Sequence, residues 1–115
     1  MNKVYAYRTS GGKNLLSKLS SDVKPVVLTV LEGMQRDGGE NFLSKPIDKN
    51  STPKLYEIRK KSVRIFYYRD SDNSINITYI TEHKQKNKTE KQDKHTAVER
   101  VKRMLNQPEI YKELI

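Results

Sequence analysis

The sequence predicts an α+β fold in a single domain spanning residues 1–115. Apolar residues recur with a helical period between positions 23 and 34, and with a period of two in three short runs between positions 55 and 80. A chain of 115 residues can enclose one hydrophobic core but not two domains of ordinary size. We expect an N-terminal strand and helices packed on a twisted antiparallel sheet, followed by a C-terminal helix.

The N-terminal segment predicts a short strand and then a short helical turn. Residues 3–8 alternate Val and Tyr with other side chains, and Ser10-Gly11-Gly12 interrupts that pattern. Leucines at positions 15, 16 and 19 are spaced for one or two helical turns. A helix this short needs support from the rest of the fold.

The clearest helix spans residues 23–34. Ser21 or Asp22 can cap its N-terminus, Pro25 falls in the first turn, where a missing N–H costs least, and Gly38-Gly39 ends it. Its spacing of i, i+3, i+4, i+7, i+8 and i+11 predicts one apolar stripe facing a sheet. The residues of the stripe are Val23, Val26, Val27, Val30, Leu31 and Met34.

Three strands are predicted in the middle of the chain, at residues 55–59, 63–68 and 75–80. Each alternates apolar with polar or aromatic side chains. The connecting segments, residues 60–62 and 70–74, are short and rich in turn-forming residues. An antiparallel meander is the simplest connection.

The remaining segments predict a loop, a helix and a tail. Residues 41–53 contain two prolines and scattered polar residues, which favours an ordered loop. Residues 96–106 predict the last helix, which Pro108 ends. The tail at 110–115 is largely apolar, so we expect it either to pack back on the domain or to meet another chain.

Composition indicates an anionic partner. The net charge of +9 and the isoelectric point near 9.7 favour nucleic acid or an acidic protein. The chain has no cysteine, its N-terminus lacks the apolar core of a signal peptide, and no run of residues is apolar enough to cross a bilayer. We therefore expect a cytoplasmic protein that makes no membrane contact.

Several kinds of site are excluded by the residues available. His83 and His95 are the only histidines, and they have neither cysteines nor clustered carboxylates beside them to complete a metal site. There is no serine-hydrolase elbow and no glycine-rich phosphate loop. We expect neither a metal nor a cofactor.

The connector at residues 83–89 carries three lysines between the last predicted strand and the last helix. From Glu82 to Arg103 there are eight Lys/Arg and four Asp/Glu residues, and Arg59 and Arg64 can converge on the same surface. This arrangement favours a site for a phosphate backbone. On composition alone, lysines that are merely solvated are the commoner case.

Cations and tyrosines suffice for RNA cleavage, because the ribose 2′-OH supplies the nucleophile. Protein groups need only accept its proton, stabilise charge on the phosphate and protonate the leaving 5′-oxygen. A lysine crowded by other cations holds its proton less tightly and can act as the base. Tyrosines in the strands can stack on a base, although they more often pack within a sheet.

Four segments in order resemble the RelE/HigB-like toxins of type II toxin–antitoxin modules, especially their phage-derived HigB-like branch. Leu55-Tyr56-Glu57-Ile58-Arg59 is similar to the family's LWELR strand, and residues 63–68, VRIFYY, to its YRIFYF strand. Residues 84–89 are similar to KKTQKTP, and residues 97–105 to REIERAKRRL. The opening at Tyr5, Arg8 and Gly11-Gly12 also looks like this branch, so the resemblance covers nearly the whole chain.

The resemblance implies a RelE-like fold and ribosome-dependent cleavage of mRNA without a cofactor. It also implies a cognate antitoxin, of HigA type, that neutralises the protein in a hetero-oligomer. The connector is longer than in the family and has Glu90 where a proline is usual, so the roles of base and acid among its lysines and His95 stay open. The catalytic residues implied are Arg59, Arg64, Lys84, Lys86 and Lys88. The residues expected to contact RNA are Lys61, Tyr67, His83, Lys91, His95 and Arg100.

Two other functions remain open at this point. ParE-like relatives share the fold and poison DNA gyrase by binding it, without cutting RNA. A degenerate homologue would retain only the binding of antitoxin or RNA. Codon preference and oligomeric state do not follow from the residues.

Overall fold

A computed structural model describes residues 2–40, 42–48, 52–82 and 89–115. Within these ranges, six strands form one sheet in the order β2-β3-β4-β5-β1-β6, with a helix on each face. The α+β class, the N-terminal strand and the C-terminal helix are as predicted. The elements are β1 (Val4–Tyr7), a 3₁₀ turn (Leu15–Lys18), α1 (Lys24–Asp37), β2 (Ser44–Asp48), β3 (Leu55–Lys60), β4 (Val63–Arg69), β5 (Ile75–Thr81), α2 (Lys91–Asn106), α3 (Pro108–Tyr111) and β6 (Lys112–Leu114).

Helix α1 confirms the predicted apolar stripe and its glycine stop. Gly38 adopts a left-handed φ of 78°, and its N–H donates to Met34 O at 3.0 Å. Only glycine takes this conformation without strain, so the helix ends there. Its start differs from the prediction. Val23 is the N-cap and makes no side-chain capping bond, so neither Ser21 nor Asp22 has that position.

The predicted meander is confirmed in strands β3, β4 and β5, which pair antiparallel in sequence order. The loop predicted at 41–53 is wrong in part, because Ser44–Asp48 forms β2 and pairs with β3. Pro46 obscured this strand in the sequence. Proline is tolerated there because β2 is at the edge of the sheet, where one side of the strand needs no backbone donor.

The two ends of the chain complete the sheet. β1 pairs in parallel with β5, Val4 opposite Ile75, so the sheet is mixed rather than wholly antiparallel. The tail packs back on the domain, since β6 pairs antiparallel with β1, Tyr5 opposite Leu114. The last helix also begins earlier than predicted, at Lys91 instead of residue 96.

The sheet separates two cores. On one side, which we call the α1 face, Ile65 and Tyr67 pack with the apolar stripe of α1. On the other side, the α2 face, Phe66 and Tyr68 pack with Ala97, Val101 and Met104 of α2. Successive β4 residues therefore alternate between the cores, as a pleated strand requires.

Candidate functional site

The α2 face carries the two arginines of the predicted site. Arg64 lies two residues before Phe66 in β4 and therefore shares the α2 face. Arg59 of β3 is its register partner on one side, and Thr81 of β5 is its partner on the other. Directly opposed residues have Cβ atoms about 4.5–5.5 Å apart. The side chains of Arg59, Arg64 and Thr81 therefore lie next to one another on three adjacent strands. We call these three residues the arginine row.

The arginine row is largely enclosed. Arg64 is 3% exposed, Thr81 is 5% exposed, and the Arg59 side chain is 27% exposed. Arg59 Nη2 and Thr81 Oγ1 are both buried and have no hydrogen-bond partner among the described residues. A buried donor without a partner costs about 1–3 kcal/mol. Two such groups beside a buried guanidinium suit an anion that accepts hydrogen bonds.

Glu57 fixes one end of the row. Its side chain is fully buried, and Oε1 accepts a hydrogen bond from Arg59 Nε at 2.7 Å. The other carboxylate oxygen accepts from Thr89 Oγ1 at 3.0 Å. Hydrogen bonds between charged groups are stronger than neutral ones. Glu57 therefore orients the Arg59 guanidinium and holds the last residue of the lysine connector.

The contact between Thr89 and Glu57 brings the start of α2 to the row. Lys91 is the first residue of this helix, and His95 lies four residues later on the same side of it. Both side chains are exposed. Lys61, also exposed, lies at the tip of the β3–β4 hairpin with a left-handed φ of 55°. The register continues from the Arg59–Arg64 pair to this turn, so Lys61 is close to the row.

Tyr67 lies on the opposite side of the sheet from the row. Its ring stacks on Tyr56, with centroids 5.5 Å apart, and its hydroxyl shares a hydrogen bond with Ser44 Oγ at 2.6 Å. It is packed in the α1 face. The structure therefore does not bring Tyr67 together with Arg59 and Arg64.

Arg100 joins α2 to the sheet. Its guanidinium carbon is 4.4 Å from the centroid of the Tyr7 ring and 4.9 Å from that of Tyr79, and Nη1 donates to Thr78 O. The Tyr7 ring stacks further on Tyr111, and Tyr79 on Phe66, which extends the stack at both ends. Burial lowers the pKa of the guanidinium below its ordinary value. Part of Arg100 also lines a cleft beside β5.

Residues 83–88 of the lysine connector lie outside the described residues, and with them the predicted site residues His83, Lys84, Lys86 and Lys88. Its two flanks are described. Glu82 Oε1 accepts hydrogen bonds from Ser20 N at 2.9 Å and from Ser20 Oγ at 2.7 Å. Thr89 is held by Glu57, as above. Hydrogen bonds to a carboxylate therefore hold the chain on each side of residues 83–88, to half-buried Glu82 before them and to buried Glu57 after them.

Neither a cluster of metal-ligating side chains nor a membrane-spanning helix is found in the described part of the chain. Its His, Asp and Glu side chains include no group of three arranged to hold a metal ion. No helix there combines the length and the apolar character needed to cross a bilayer.

Residues 14–102 match the family described as Phage derived protein Gp49-like (DUF891). The chain belongs to this Gp49-like family. The family is associated with the toxins of toxin–antitoxin systems, which implies an antitoxin partner for the Gp49-like protein. The matched range contains the arginine row, Glu57 and most of α2. No curated protein matches the sequence.

Three residues of the site were not among those predicted. Glu57 precedes Arg59 by two positions, and this spacing in a strand already places both on one face. Thr81 lies one residue beyond the strand end expected from the apolar pattern. Thr89 has no signal of its own, because its role depends on where the fold brings the start of α2.

Proposed function

We propose that the Gp49-like protein is a toxin that cleaves mRNA on the ribosome, and that a HigA-like antitoxin neutralises it in a hetero-oligomer. The observation that carries the proposal is the arginine row. Arg59 and Arg64 stand side by side on the α2 face, and Arg59 Nη2 and Thr81 Oγ1 are buried donors without a partner among the described residues. A phosphodiester presents the acceptor oxygens that such donors lack.

The reaction proposed is an internal transesterification. The 2′-oxygen of a ribose forms a bond to the adjacent phosphorus while the bond from phosphorus to the 5′-oxygen breaks. A base takes the proton of the 2′-OH, and an acid protonates the leaving 5′-oxygen. The products are a 2′,3′-cyclic phosphate and a 5′-OH, and no metal is required.

Each protein group has a part in this reaction. The guanidinium groups of Arg59 and Arg64 bind the phosphate and stabilise the charge that develops on it. The lysines at 84, 86 and 88 and His95 are the candidates for proton transfer. Lys61, His83 and Lys91 bind the neighbouring backbone. Glu57 positions Arg59 without touching the reacting atoms.

Charge suits the partners proposed. A net charge of +9 attracts ribosomal RNA and mRNA and also attracts an acidic antitoxin surface. The ribosome would hold the codon in the conformation that the arginine row requires, so that the toxin needs no base-pairing surface of its own. The proposed site of action is the cytoplasm.

The test is expression of the protein from an inducible promoter, with mRNA cut sites mapped by primer extension. We expect growth arrest and cuts within translated codons. Arg64→Ala should relieve both. Arg36→Ala is the matched control, because it removes the same charge from an exposed position on α1, on the other side of the sheet.

Two results would overturn the proposal. One is intact mRNA during growth arrest, with gyrase inhibited by the purified protein, as for the ParE-like toxins. The other is an Arg64→Ala variant that still cuts mRNA like the Arg36→Ala control.

A further inference from the structure

A cleft opens beside the carboxyl half of β5. β1 pairs with Ile75 to Ile77 only, so the rest of β5 has no strand on that side among the described residues. The segment from Thr9 to Leu19 lies there instead. Between this segment, β5 and Arg100 is a cleft of about 150 Å³.

The cleft combines an apolar wall with a cationic rim. Leu15, Leu19 and Ile80 provide hydrocarbon surface, whereas Lys13 and Lys18 are exposed at the edge. The carboxylate of Glu82 is the acidic group of the lining, and it is occupied by two hydrogen bonds from Ser20. A ligand with a flat apolar ring and a phosphate fits this cleft, because the ring can pack on the apolar wall and the phosphate can contact the cationic rim.

The walls of the cleft are held in place by contacts that need no ligand. Arg100 is fixed between two tyrosine rings on one side. On the other side, Thr9 N donates to Lys13 O at 2.8 Å, and Arg8 Nε donates to Ile110 O at 2.9 Å. A ligand would therefore bind without ordering the cleft first, which lowers the cost of binding.

The cleft adjoins the arginine row through β5. Tyr79, which lines the cleft, lies two residues before Thr81, the last member of the row, and faces the same side of the sheet. Two residues of a strand span about 7 Å. A ligand in the cleft and a phosphate on the row are therefore close enough to belong to neighbouring parts of one molecule.

We propose that this cleft binds one nucleotide of the RNA, adjacent to the phosphate held by the arginine row. The base packs on Leu15, Leu19 and Ile80, and its phosphate contacts Lys13 and Lys18. This assignment rests on the proposed function, since it takes RNA as the ligand of the row. It makes the N-terminal segment part of the substrate-binding surface.

The test is titration of the intact protein with a trinucleotide whose 2′-OH groups are replaced by hydrogen, so that it cannot be cut. Binding is followed by calorimetry and by the NMR signals of Tyr79 and Ile80. We expect those signals to shift, and Lys13→Ala/Lys18→Ala to weaken binding about tenfold. Inorganic phosphate should bind the double variant as it binds the unaltered protein, because the row is intact.

The matched control is Lys3→Ala/Lys24→Ala, which removes two exposed lysines elsewhere on the surface. Equal affinities of the two double variants for the trinucleotide, or unmoved Tyr79 and Ile80 signals, would overturn the nucleotide subsite. Failure of the proposed function has a different signature. In that case mRNA remains whole in cells, whereas trinucleotide binding in the cleft persists and supports the subsite alone.

Discussion

The two faces of the sheet differ in what they bury. The α1 face is built mostly of aliphatic side chains from α1 and the strands, together with the buried ring of Tyr67. The α2 face also buries Glu57, Arg64, Asn76 and Thr81. Some buried polar atoms on this face have no hydrogen-bond partner among the described residues, including Arg59 Nη2, Tyr68 OH, Asn76 Oδ1 and Thr81 Oγ1.

This difference indicates that the α1 face mainly stabilises the fold and that the α2 face also binds a ligand. Burial of apolar area contributes about 25 cal/mol per Å². More apolar side chains are buried in the α1 face than in the α2 face, so the α1 face contributes the larger share of the stability. Burial of polar groups without partners lowers the free energy of unfolding. Such a cost is expected where a protein keeps groups ready for a ligand. The predictions below test this difference between the faces, from the largest expected effect to the smallest.

Ile65→Ala should have the largest effect, on stability. Ile65 is fully buried in the α1 face, and its truncation should lower the free energy of unfolding by about 2–5 kcal/mol. Urea denaturation measures the change. Leu43→Ala, at a leucine that is 89% exposed, is the control and should have little effect. Equal losses in the two variants would contradict the assignment of stability to this face.

Arg64→Gln, one residue away in β4, should act on activity instead. We expect RNA cleavage to fall about 10²- to 10³-fold, as when one transition-state donor is removed. The assay is cleavage of mRNA on purified ribosomes, with Arg36→Gln as control. If Arg64→Gln cleaves mRNA as fast as Arg36→Gln, the arginine row is not needed for cleavage. The α2 face would then have no functional role that the α1 face lacks.

Glu57→Gln should affect stability and the connector together. The amide cannot reproduce both hydrogen bonds with the same charge, so we expect the free energy of unfolding to fall by about 1–3 kcal/mol. Exchange of the Thr89 amide proton should become faster than in the unaltered protein. Unchanged exchange at Thr89 would mean that Glu57 does not hold the end of the connector.

Arg100→Met should lower the free energy of unfolding by about 1–2 kcal/mol, because the contacts with two aromatic rings are lost while the aliphatic volume is kept. Thermal unfolding is the measurement. Lys102→Met, at an exposed position on the same helix, is the matched control. An Arg100→Met variant as stable as this control would show that the ring stack does not hold α2 to the sheet.

Asp72→Asn should have the smallest effect, since Asp72 lies in the β4–β5 turn, outside both faces. Hydrogen bonds from Ser74 Oγ and Ser74 N hold the pKa of the Asp72 carboxyl below its ordinary 3.8. The folded pKa is lowered, so this stabilisation is complete above pH 3.8 and disappears as pH falls through the folded value. The Tm difference between the variant and the unaltered protein should vanish over the same range. A difference that persists at lower pH would contradict this origin.

Local patterns predicted much of this molecule. The stripe of α1 and the alternation in β3, β4 and β5 gave the core helix and the meander, and they gave the shared surface of Arg59 and Arg64. The same alternation assigns Tyr67 to the face opposite Arg64, although both are predicted site residues. Strand parity is therefore the useful test for such groupings.

What the sequence did not predict depends on distant partners. β2 becomes a strand because β3 offers an edge, despite Pro46. The parallel pairing of β1 with β5 joins residues some seventy positions apart and has no local signal. The cleft beside β5 follows from that pairing, and so its lining could not be assembled from motifs alone.

The position of β1 also affects how the chain can be made. β1 lies between β5 and β6, and its second neighbour is contributed by residues 112–114. A ribosome that has synthesised β1 must add about a hundred residues before that strand has both of its partners. Until then Tyr7 lacks the ring of Tyr111 against which it stacks in the folded protein. For a protein proposed to attack translation, completion of the sheet therefore waits until residues 112–114 have been synthesised and released.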